Sequence, residues 1–124
     1  MRKTKLVVVL LLLCAAGCSG TSKESELSYF LSDTEGMYKI HLFRDSSREL
    51  DNKLLEYMNS SEDLLEVIQG VQLYDMNTED NQIRAERVDV EEIPTMLITD
   101  DTEIVLRTQS IQELKNYFED LMND

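Results

Sequence analysis

Pro94 is the only proline in the chain, and it stands at the head of an apolar run, "EIPTMLIT". Proline has no backbone N–H and holds φ near −65°, so it cannot lie inside a central strand without deleting a ladder bond. The strand predicted over Thr95–Thr99 therefore starts at the proline and cannot extend back through it. "DDT" at 100–102 supplies a turn, and Glu103–Thr108 is the returning strand of a hairpin. In "SIQELKNYFEDLM" Ser110 and Glu113 form a capping-box pattern, and Ile111, Leu114, Phe118 and Leu121 share one face, so the last element is an amphipathic helix.

Upstream, a short apolar stretch at Leu27–Leu31 and a turn at Asp33–Gly36 precede a strand from about Met37 to Phe43. From Ser46 or Ser47 the apolar period becomes helical through Leu50, Leu54, Met58, Leu65 and Ile68. The helix is expected to break near Ser60 and Ser61 and to stop at Gly70. "VQLYDMN", 71–77, reads as a strand and 78–87 as a short, weakly amphipathic helix. This order of strands and helices is an α/β pattern with a mixed sheet.

The first twenty residues, "MRKTKLVVVLLLLCAAGCSG", read as a targeting segment rather than as part of the fold. Arg2, Lys3 and Lys5 are followed by an apolar run over 6–16, shorter than the roughly 20 residues that span a bilayer. Ala15, Ala16 and Gly17 ahead of Cys18 resemble a lipobox, which implies cleavage before Cys18 and attachment of a diacylglycerol (palmitate-type) anchor to its thiol. The alternative is an ordinary secreted domain with a free thiol. The expected division is a signal peptide over 1–17, a lipidated cysteine with a flexible tether over 18–34, and a domain over 35–124. The protein is expected on the extracytoplasmic face of the cell membrane. Ser19, in place of an aspartate, allows the outer membrane if the cell has two.

Cys14 and Cys18 are the only cysteines, so a mature lipidated chain holds no free thiol for disulfide exchange or metal binding. Removing 1–17 leaves nine basic against twenty-five acidic side chains, a formal charge of −16. Such a charge opposes nucleic acid and anionic headgroups, leaving the lipid to hold the membrane. It serves solubility at the membrane surface, or draws a basic partner or cations.

"EIPTMLITDDTEIVLRTQSIQELKNYFEDL" resembles the carboxy-terminal half of thioredoxin-like proteins, with "IHLFRDSSRELDNKLLEYM" and "VQLYDMN" matching the elements before it. The resemblance covers about 37–124 and implies a thioredoxin-like three-layer fold around a mixed central sheet. It also implies a cis bond at Ile93–Pro94, which proline tolerates far better than other residues, and a groove where an extended peptide pairs with the backbone of Ile93. Where the family carries Cys-x-x-Cys this chain has "DSSRELD", so the redox activity is not carried over.

The candidate groove consists of Ile93, Pro94 and Thr95 with Asp45, Ser46, Ser47 and Arg48. Pro94 equally serves only to start its strand, and the 45–48 cluster equally serves to cap the helix. Residues 75–86 match a calcium loop poorly, with Asp80 where glycine is needed and Ile83 at a polar position, so no metal is assigned. No cofactor motif appears, and His41, the single histidine, reads as structural. The expected function is a membrane-anchored, non-redox module that binds an envelope protein or peptide. The alternatives are an accessory or atypical enzyme using Asp45, Ser46 or His41, and a structural lipoprotein with a vestigial groove.

Overall fold

The computed structural model describes residues 27–123. Four strands, β1 (Tyr38–Arg44), β2 (Ile68–Asp75), β3 (Thr95–Thr99) and β4 (Ile104–Thr108), form one sheet in the order β2-β1-β3-β4. β1 and β2 are parallel, whereas β3 is antiparallel to both β1 and β4. The helices are α1 (Glu49–Met58), α2 (Glu62–Val67), α3 (Glu79–Arg87) and α4 (Ile111–Met122). The expected signal peptide, Cys18 and residues 19–26 lie outside the described residues.

Alternation along the strands divides the interior into two layers. Ile40, Leu42, Met96 and Ile98 face one side and pack with Leu54 of α1, Leu64 of α2, and Leu114 and Phe118 of α4. Phe43, Leu97 and Tyr74 face the other and pack with Phe30, Ala85, Val88 and Val90. Because β1 and β3 are interior strands covered on both faces, β3 is buried at all five positions.

Residues 27–34, expected to belong to a tether, are part of the packed domain. Phe30 is 2 % exposed, and its carbonyl accepts hydrogen bonds from His41 Nε2 and Thr99 Oγ1. The turn that follows uses Gly36 at φ 84°, a conformation glycine adopts without steric cost. The packed domain therefore includes residues 27–34 and does not begin at 35.

The break between α1 and α2 occurs where Ser60 and Ser61 stand, and Ser61 Oγ accepts from the amide of Asp63 to cap α2. Gly70 is no helix stop. α2 ends at Val67, and Gly70 lies within β2 opposite Lys39. The β-branched Ile68 and Val71 favour the strand that follows.

Candidate functional site

The end of β1, the start of α1 and the loop ahead of β3 meet at one end of the sheet. Asp45, Ser47, Glu49, Leu50, Lys53, Pro94, Gln109, Ser110 and Ile111 line a recess of about 420 Å³ there. The Ile93–Pro94 bond is cis. Gln109 Nε2 donates to the Pro94 carbonyl at 2.9 Å and ties the exit of β4 to the proline loop. Among the described residues, neither the amide nor the carbonyl of Ile93 finds a hydrogen-bond partner.

The loop opposite Pro94 is organised by its own side chains. Asp45 Oδ1 accepts from the Ser47 amide at 2.8 Å, and Ser47 Oγ accepts from the Glu49 amide at 3.3 Å. These are Asx- and Ser-type turns that satisfy backbone donors at the mouth of α1. Beneath the loop, Arg44 Nε approaches Asp51 Oδ2 to 3.4 Å.

The seven candidate residues are not all brought together. Asp45, Ser47 and Pro94 share the recess. Thr95 is 6 % exposed, donates from Oγ1 to the Glu92 carbonyl at 2.6 Å, and borders a second recess of about 580 Å³ beside Asp89, Glu91, Glu92 and Glu113. The side chain of Ile93 turns to a third, with Met76, Gln82 and Val90. Ser46 and Arg48 are exposed and line none of these recesses. Gln109, absent from the candidate set, is the side chain that fixes the proline loop. A glutamine just after a strand carries no signal of that role.

His41 sits away from this recess, 2 % exposed. Its Nε2 lies 2.7 Å from the Phe30 carbonyl, an acceptor only, so Nε2 carries the proton and Nδ1 accepts from the Tyr74 hydroxyl at 2.8 Å. Burial holds its pKa down at about 4, with Lys39 adding to the depression and the Phe30 carbonyl opposing it. Both ring nitrogens of His41 are thus engaged in the core.

Among the described residues, no group of three His, Cys, Asp or Glu side chains is placed to hold a metal ion. Residues 79–86 of the calcium-loop pattern lie in helix α3, capped by Thr78, whose Oγ1 accepts from the Asn81 amide. No helix among the described residues is long and apolar enough to cross a membrane.

No family model matches the chain, and no curated protein matches it. Among solved structures it is similar to a designed protein, with a TM-score of 0.54 and 14% identity over 71% of this chain and 78% of that one. It is also similar to the thioredoxin Mala s 13 of Malassezia sympodialis, with a TM-score of 0.53 and 11% identity over 69% of this chain and 76% of that one. At these identities the likeness concerns the backbone alone. The mixed four-stranded sheet with its four helices is a thioredoxin-like α/β fold.

Proposed function

We propose that this protein is a lipid-anchored, non-redox module that binds an extended segment of an envelope protein at the proline loop. The observation that carries the reading is the unpaired backbone of Ile93 beside the recess between Pro94 and the 45–47 loop. Unpaired backbone N–H and C=O groups ahead of a strand offer main-chain bonds to an incoming segment, and the flanking recess admits its side chains. The place of the family's thiols is taken by Asp45, Ser46, Ser47 and Arg48, which supports binding rather than exchange. Anchoring rests on the basic residues 2, 3 and 5, the apolar run and the small residues before Cys18. It places the domain on the extracytoplasmic face of the cell membrane, or at the outer membrane of a two-membrane cell.

Photo-crosslinking in intact cells tests the groove. A diazirine-bearing aliphatic residue at Ile93 should yield a discrete adduct, and the same group at exposed Asp120 on α4 should not. Equal labelling from both positions, or none from Ile93 in an expressed protein, sinks the binding reading. Incorporation of an alkyne analogue of palmitate, lost in Cys18→Ser, tests the anchor separately.

A further inference from the structure

The two edges of the sheet are protected differently. β4 is five residues long, carries Arg107, and is tied by that side chain to the Asp89 carbonyl at 3.2 Å. β2 is eight residues long, and from Ile68 to Tyr74 it has no charge and no proline. Its only charge is the terminal Asp75. Among the described residues β2 pairs with β1 alone, so its outer edge has no strand partner there. Long, uncharged edges are the ones that template pairing with another chain, and folded proteins ordinarily blunt them with charge, proline or a bulge. Here the neutral strip runs through a domain whose residues 27–123 hold eight basic and twenty-two acidic side chains.

We propose that β2 is a self-association edge, on which two copies pair antiparallel about a twofold axis at Gln72 and join two four-stranded sheets into one of eight. The sequence of the strand is complementary to itself in that register. Val71 stands opposite the partner's Leu73, and Leu73 opposite the partner's Val71. Both lie on the face that packs against the larger core cluster, so the pair continues that core across the axis. On the other face Gly70 stands opposite the partner's Tyr74. The Tyr74 ring is turned into its own core, and no atom lies within 4 Å of where a Gly70 side chain would begin, so the two backbones meet at this position without obstruction. Gln72, exposed, meets its own copy, and Asp75 meets neutral Gln69, so no like charges oppose each other along the strand.

This pairing does not use the proline loop, because the strand that the loop leads into, β3, pairs with β1 and β4 and not with β2. Because both partners are strongly acidic, dimerisation should strengthen as salt rises from 0.01 M to 0.15 M and the screening length falls from about 30 Å to about 8 Å.

The test uses the full chain. Light scattering of the native protein should give the mass of a dimer, and Gln72→Cys treated with a short bis-maleimide should run at twice the monomer mass. Wild type, which controls for Cys14 and Cys18, and Gln112→Cys on α4 should not crosslink. Gln72→Asp sets two carboxylates against each other at the axis and should weaken the dimer about tenfold or more, with unchanged circular dichroism. A monomer, a dimer indifferent to Gln72→Asp, or a Gln72→Cys adduct with a different protein each overturns the proposal.

Discussion

Arg44 Nε lies 3.4 Å from Asp51 Oδ2, joining the end of β1 to the first turn of α1, and the two side chains are only 20% and 6% exposed. Asp51 Oδ1 and Arg44 Nε have no hydrogen-bond partner among the described residues. The charges are neutralised by each other while their hydrogen-bonding capacity is only partly used. Removing one member of a buried pair leaves an uncompensated charge, whereas replacing both by apolar residues is often neutral. Asp51→Ala should therefore cost about 2–3 kcal/mol in urea unfolding, and Arg44→Met with Asp51→Leu should fall within about 1 kcal/mol of wild type. Equal losses in both variants would show that packing, not the lone charge, sets the cost.

His41 predicts a pH dependence. Its folded pKa of about 4 lies below the ordinary value of 6.5, so between these values the unfolded chain binds a proton that the folded chain refuses. Its contribution is complete above pH 6.5 and is lost as the pH falls towards 4, by about 3 kcal/mol at roughly 1.4 kcal/mol per pH unit. Carboxylates titrate near the lower end, so the quantity to measure is the difference from His41→Gln. That variant should show a shallower fall in urea midpoint between pH 6.5 and 4.5, and parallel curves would refute the assignment.

Phe30 is buried between His41, Phe43 and Tyr74, with ring centroids 5.1, 6.3 and 5.9 Å away. Truncating such a ring typically costs about 3–5 kcal/mol, and Phe30→Ala should do so here. A chain beginning at residue 35 should unfold at markedly lower urea than one beginning at 27. Equal midpoints would mean that the segment before β1 is ornamental.

The start of α4 depends on Thr108 as well as on its expected cap. Ser110 Oγ accepts from the Glu113 amide, but the Glu113 carboxylate accepts from Thr108 Oγ1 at 2.6 Å, and that hydroxyl also accepts from the Ser110 amide at 3.0 Å. Thr108→Val removes both bonds at once and should cost about 1–3 kcal/mol, at least as much as Ser110→Ala at about 1 kcal/mol. Thermal unfolding of the two variants decides the ranking.

α4 was legible because Ser110 and the Leu114–Phe118 spacing are local signals. β3 was legible because Pro94 fixes where it starts. The burial of Phe30 was not, since it rests on His41 and Thr99, 11 and 69 residues further along the chain. Gly70 misled because glycine ends helices as readily as it opens an edge strand, and only the pairing with Lys39 separates the two. Arg44 and Asp51 are seven apart across a strand–loop–helix junction, a spacing that no single element's periodicity flags. In the candidate site, the meeting of Pro94 with Asp45 and Ser47 followed from element order. The divergence of Ile93 and Thr95 into neighbouring recesses followed from strand alternation.

The docking of Phe30 also sets a leash length. With the lipid at Cys18, as proposed, at most nine residues rather than seventeen separate the bilayer from the packed part of the domain. At full extension these span about 30 Å instead of about 60 Å. A partner of this protein must then come within roughly one domain diameter of the membrane surface, and lengthening the chain ahead of Leu27 would widen the zone the domain can patrol.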